Sequence, residues 1–123
     1  MTKKEQRKAV FNKYGGRCAY CGCEITENNF VEDHIKPLYR NSKPHEYLNR
    51  KGDDCLENRN PSCRSCNTRK NVLTIEKFRA EISKQVERLK RDSNQFNLAL
   101  RYGLIKETNE PVIFYFEKHE AIL

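Results

Sequence analysis

Four of the six cysteines in this 123-residue chain form two Cys-x-x-Cys pairs, Cys18/Cys21 and Cys63/Cys66. A two-residue gap lets both sulfurs of a pair face one ion, and two pairs complete a tetrahedral zinc shell. Four thiolates leave no position for water, so such a site is structural and its binding energy adds to folding. The metal would join a knuckle at residues 18–23 to the start of a helix far along the chain. Cys23 could compete with Cys21, but the spacing of the second pair favours Cys18 and Cys21. Cys23 and Cys55 are therefore read as small buried hydrophobes or reduced thiols.

This staple matters because the chain has little else to fold around. Apolar residues make up 37% and charged residues 33%, a poor composition for a large core, and a structural metal relieves that shortage. The length suits a single domain. No apolar run could span a bilayer. The start, Met1 to Lys8, is basic with no apolar stretch after it, unlike a secretory signal. A cytosolic setting follows, where thiols stay reduced and paired cysteines favour metal over disulfides.

The pattern predicts a helix over residues 3–14, with Val10, Phe11 and Tyr14 on its apolar side and Gly15-Gly16 as its stop. A strand is expected over Phe30 to Ile35, a long loop over residues 36–54, and a brief strand near Cys55-Leu56-Glu57. A turn at Asn60-Pro61 should lead into a helix from Ser62–Arg64 to about Asn71. Beyond it, Thr74 can cap a helix whose Ile75, Phe78, Ile82, Val86 and Leu89 share one face. A shorter helix through Phe96 to Tyr102 should close at Gly103. Val112 to Phe116 reads as a buried strand. Residues 1–16, 17–71 and 72–123 thus read as an N-terminal helix, a cysteine module and a supporting extension of one domain.

Between the cysteine pairs lie Asp33-His34, at the end of a predicted strand, and Asn58. Asn67 follows Cys66 directly. An Asp carboxylate is a hard ligand suited to magnesium, and an Asn amide oxygen could supply a second. Because Asn67 adjoins a zinc-type cysteine, the zinc would fix where it points.

Asp33-His34-Ile35-x-Pro37, followed by Leu56-Glu57-Asn58-x-Asn60-Pro61-x-Cys63-Arg64-x-Cys66-Asn67-x-x-Lys70, resembles the HNH endonuclease family in its zinc-stabilised branch. The three motif positions fall on His34, Asn58 and Asn67, the HNN variant. The segments at residues 74–79, 101–105 and 114–117 also resemble small HNH proteins of phages and prophages.

The resemblance implies an α+β fold with a ββα-metal (His-Me finger) core and a four-cysteine zinc site. An N-terminal helix and a helical and strand extension would flank it. It implies that His34 is a general base and that Asp33 and Asn67 hold Mg2+ or Mn2+ on a scissile phosphate. Asn58 would tie the loop through backbone hydrogen bonds and keep His34 oriented. It further implies DNA as substrate, 5′-phosphate and 3′-hydroxyl products, a bacterial host cytoplasm, and a phage terminase as a candidate partner. One departure is the loop at residues 39–54. It lacks the Gly-Gly turn common there and carries Lys43-Pro44-His45-Glu46-Tyr47.

The net charge of +7 favours a polyanion, and residues 1–71 carry 15 basic against 9 acidic side chains, while residues 72–123 carry 9 against 8. Arg59, Arg64, Arg69 and Lys70 surround the predicted helix, and Lys36, Arg40 and Lys43 follow the Asp-His. These are the candidate DNA-backbone contacts, and binding through them should weaken steeply with salt. Another class open to this pattern is a zinc-stabilised nucleic-acid-binding module without catalysis, and the resemblance alone adds a terminase-associated packaging accessory.

The cysteine reading predicts that Cys63→Ser loses zinc and unfolds rather than merely slowing a reaction. Metal analysis together with circular dichroism checks it, and a folded, metal-free Cys63→Ser protein would overturn it.

Overall fold

The computed structural model describes residues 1–38 and 54–122. Helix α1 (Lys3–Asn12) comes first, followed by strand β1 (Val31–His34) and a 3-10 turn at Leu56–Asn58. Strand β2 (Arg59–Ser62) and helix α2 (Arg64–Lys70) come next. Helices α3 (Ile75–Ser83), α4 (Gln85–Asp92), α5 (Asn94–Arg101) and α6 (Tyr115–Lys118) complete the chain. The result is a small α+β fold around a two-stranded sheet. β1 and β2 are antiparallel, in the register Val31↔Ser62, Glu32↔Pro61, Asp33↔Asn60 and His34↔Arg59.

β2 differs from the sequence expectation. The predicted strand at Cys55-Leu56-Glu57 is a 3-10 turn, and the predicted turn at Asn60-Pro61 is the middle of the strand. Proline lacks an N–H and avoids central strands. In a two-stranded sheet, however, both strands are edges, so Pro61 is tolerated. Its carbonyl is used instead, accepting from Ala19 N at 2.8 Å and joining the sheet to the cysteine knuckle.

Helix caps follow local chemistry. Thr2 accepts from Glu5 N, Thr74 from Lys77 N, and Ser93 from Phe96 N, each satisfying one orphan donor of a first turn. Cys63 Sγ plays the same part for α2, accepting from Cys66 N at 3.4 Å. α5 ends in a Schellman arrangement: Gly103 adopts φ +71°, Leu104 N donates to Ala99 O and Gly103 N to Leu100 O. The helix expected to continue through Leu89 breaks between Ser83 and Gln85. Lys84 N donates to Glu81 O, three residues back, and beyond that tightened turn Val86 and Leu89 leave the core and are exposed.

The buried cluster gathers on the knuckle: Cys18, Tyr20, Phe78 and Phe114, with Ile25, Leu73, Ile82, Val112 and Phe116 packed around it. The Tyr20 ring meets Phe78, Phe114 and Phe116 edge-on at 5.5, 5.6 and 5.8 Å between centroids. Residues 112–116 are not a strand. They dock by their rings, and Tyr115 N and Phe116 N donate to Tyr20 O and Ala19 O. Ile113 faces outward while Phe114 is buried. Gly22 lies so close to this segment that an added Cβ would sit 2.8 Å from Tyr115 Cδ2.

Lys13, at the end of α1, is also buried. Its ammonium donates to the carbonyls of Leu56, Glu57 and Arg59 and anchors the approach to β2. Burial lowers its pKa. Among the described residues no helix is long and apolar enough to cross a membrane.

With so few buried apolar side chains, the fully buried Phe78 should be decisive. Phe78→Ala should cost about 3–5 kcal/mol, measured by denaturant unfolding of the metal-loaded protein. A loss below about 1 kcal/mol would place the core elsewhere.

Candidate functional site

The four paired cysteines converge as their spacing predicts. Each offers one sulfur, and all four sulfurs lie within 4.8 Å of one another. Zinc–sulfur bonds of about 2.3 Å would set neighbouring sulfurs about 3.8 Å apart, and Cys21 Sγ and Cys63 Sγ are separated by 3.9 Å. The donor set and its spacing therefore fit an ion such as zinc. The Cys66 thiol, with backbone N–H groups, holds Cys18 down to about 4. Donation to Cys18 and burial push Cys66 up. Cys23 and Cys55 are free and exposed rather than buried, which corrects their reading as small core residues and keeps that of reduced thiols.

Beside the cluster, β1 carries Asp33 and His34 to opposite faces of the sheet, as a strand alternates. Asp33 turns inward and is 4% exposed. Its Oδ2 accepts from the Tyr20 hydroxyl and lies 3.0 Å from Lys70 Nζ. Among the described residues nothing bonds Oδ1. Burial pushes the Asp33 carboxyl above its ordinary range, against the pull of Lys70 and Tyr20. Burial and the Asp33 charge push Tyr20 well up, so its hydroxyl keeps its proton and is the donor.

His34 faces the other side, beside its cross-strand neighbour Arg59. Its Nε2 is 2.7 Å from Asp54 Oδ1. Arg59 Nε donates to the same oxygen at 2.9 Å, and Arg59 NH1 donates to Gln6 on α1. The His34 ring and the Arg59 guanidinium hold the Asp54 carboxyl below the usual carboxylate range. An ionised carboxylate only accepts, so Nε2 carries the proton and Nδ1 is left as the basic nitrogen.

The backbone around His34 is clamped from two sides. Asn58 Oδ1 accepts from Lys36 N and Asn58 Nδ2 donates to Lys36 O, at 2.9 and 3.0 Å. Ile35 N donates to Asn58 O at 2.8 Å. From beneath, Lys70 Nζ donates to His34 O at 2.8 Å. On α2, Asn67 lies one turn before Lys70, so it shares the face that meets β1. Its carboxamide makes no hydrogen bond among the described residues.

The candidate DNA contacts divide. Lys36, Arg64 and Arg69 are exposed, and the two arginines line a shallow groove with Ser65, Thr68 and Glu81. Lys70 is a correction: it is fully buried on Asp33 and the His34 carbonyl, so it cannot meet a phosphate backbone from the surface. Arg59 is likewise largely inward, its side chain 15% exposed and shared among Gln6, Glu32 and Asp54. Arg40, Lys43 and His45 lie outside the described residues.

Sequence reading missed Tyr20 and Asp54. Tyr20 stands between two paired cysteines, where a large aromatic is a signal that the loop is packed on something. Asp54 lies four residues before Asn58, and no local pattern marks it as the partner of His34. Comparison with protein-family models, with curated proteins and with solved structures finds no match for this chain.

A depressed carboxyl stabilises the fold only while ionised. The Asp54 contribution is complete above its unfolded value of about 3.9 and is lost as pH falls through the lower folded value. Carbon-detected NMR titration should find Asp54 below the usual range in wild type. In His34→Ala it should move back up. An unmoved titration would overturn His34 as the main cause of the depression.

Proposed function

We propose that this chain is a metal-dependent DNA endonuclease with a ββα-metal core, stabilised by structural zinc on Cys18, Cys21, Cys63 and Cys66. The observation that carries this reading is the fixed setting of His34. It stands at a strand end, with its backbone clamped by Asn58 and Lys70 and its ring, on the face opposite Asp33, oriented by Asp54. A surface pair or a turn would not need a histidine held from three directions.

In this reading Mg2+ or Mn2+ would be held by Asp33 Oδ1 and the Asn67 carboxamide together with waters, and would supply Lewis-acid stabilisation of the scissile phosphate. His34 Nδ1 takes a proton from water while Asp54 steadies the ring through Nε2. The water oxygen bonds to phosphorus as the bond to the 3′-oxygen breaks, and that oxygen takes a proton from solvent water, leaving 5′-phosphate and 3′-hydroxyl ends. Lys36, Arg64 and Arg69 contact the phosphate backbone and position DNA without reading its bases.

One observation favours a second reading, a zinc-stabilised nucleic-acid-binding module without catalysis: Asp33 is almost wholly buried and already bonded to a cation. A carboxylate so engaged binds a divalent ion only through its remaining oxygen.

Plasmid nicking with Mg2+ or Mn2+ separates the two. Wild type should nick supercoiled DNA, and a folded His34→Ala protein should lose at least about 100-fold of that rate. Full activity in folded His34→Ala would sink the general-base assignment. A wild type that binds DNA yet cuts none with any divalent ion would favour the binding module.

A further inference from the structure

Tyr20 belongs to the cysteine knuckle by sequence but to the Asp33 site by its hydroxyl. Its backbone lies between Cys18 and Cys21. Its neighbour Ala19 is fixed to β2 through Pro61 O at 2.8 Å. Its ring is 3% exposed and bounded by Phe78, Phe114 and Phe116. A ring packed edge-on against three others cannot swing, so the position of the phenolic oxygen is set by where residues 18–21 are held. That oxygen donates to Asp33 Oδ2, the same atom that Lys70 addresses at 3.0 Å. Lys70 in turn donates to His34 O at 2.8 Å. Two donors on one carboxylate oxygen fix the plane of the group and leave Oδ1 without a partner among the described residues.

We propose that Tyr20 is a positioning residue that couples the cysteine cluster to the Asp33 carboxylate, holding Oδ2 so that Oδ1 is presented to a divalent ion. The role of the ion rests on the endonuclease reading, whereas the coupling between Tyr20 and Asp33 does not. Lys70 contributes charge to the same oxygen from α2, whereas the tyrosine hydroxyl contributes a neutral donor whose position the knuckle sets. Metal occupancy of the cluster and divalent-ion binding at β1 are then linked through one hydroxyl. Partners that orient a ligating side chain in this way typically affect metal affinity by about 10–100-fold.

The test uses the full chain loaded with zinc. Tyr20→Phe keeps the ring and removes the hydroxyl. It should retain the zinc content of wild type, while Mn2+ affinity, read by electron paramagnetic resonance, should fall about tenfold or more. The loss of melting temperature caused by Tyr20→Phe should shrink when Asp33 is already replaced in Asp33→Asn, because the partner is gone.

Unchanged Mn2+ affinity in zinc-loaded Tyr20→Phe would overturn the presentation of Oδ1. Zinc loss from Tyr20→Phe, with Asp33→Asn keeping its zinc, would assign the hydroxyl to the knuckle and overturn the coupling. If wild type itself binds no Mn2+, the endonuclease reading fails by that result. The coupling is then decided by the double mutant alone: additive losses overturn it, and non-additive losses sustain it.

Discussion

The convergence of four sulfurs is the constraint on which the rest of this structure depends. It brings residues 42 positions apart in the chain, Cys21 and Cys63, to 3.9 Å. Closing so long a loop costs entropy that a sparse apolar core could hardly offset. The buried aromatic cluster is built on the same knuckle, with Cys18 and Tyr20 at its centre and Phe78 and Phe114 against them. Metal-binding capacity and hydrophobic burial are thus concentrated in one place. The C-terminal segment earns its position by covering it, through Phe114 and Phe116 and two backbone bonds to the knuckle. The closed loop also puts α2 beside β1, which brings Lys70 to Asp33 and Asn67 to the same face.

The Lys70–Asp33 pair is an unusual investment for a chain with so little apolar area. Removing two charges from water costs several kcal/mol each, and an apolar pair of similar size often serves stability as well. Its geometry suggests another use. One ammonium fixes both a side-chain carboxylate and the carbonyl of the next residue, His34. The amide of Asn58 does the same for Lys36 from the opposite side. Rigid placement of a strand end is what these groups provide.

Charge counts gave a correct total and a misleading distribution. The surplus of basic residues lies in the half that contains the cysteines. Yet Lys13 and Lys70 are buried, and Arg59 is mostly spent on Gln6, Glu32 and Asp54. Part of the charge is internal bracing, and the outward field rests on residues such as Lys36, Arg64 and Arg69. A list of residues cannot separate these roles, because a lysine stem reaches equally well inward or outward until packing chooses.

Local patterns made much of this protein legible. The cysteine spacing foretold the cluster, Gly103 the end of α5, and Thr74 the cap of α3, because each depends on a few adjacent residues. The Asn58 bonds to the Lys36 backbone join residues 22 positions apart, and no local pattern marks that pairing. Three-dimensional contact decided the rest. Pro61 lies in a strand because a two-stranded sheet has only edges, and Val112 to Phe116 docks by its rings because no third strand pairs with it among the described residues. Tyr20 reaches Asp33, and Asp54 reaches His34, across gaps of 13 and 20 residues. The sequence by itself determined which groups could bind metal and which strand end would carry the histidine. Only the tertiary structure decided which oxygen of Asp33 and which nitrogen of His34 are engaged among the described residues, since their hydrogen-bond partners come from distant segments.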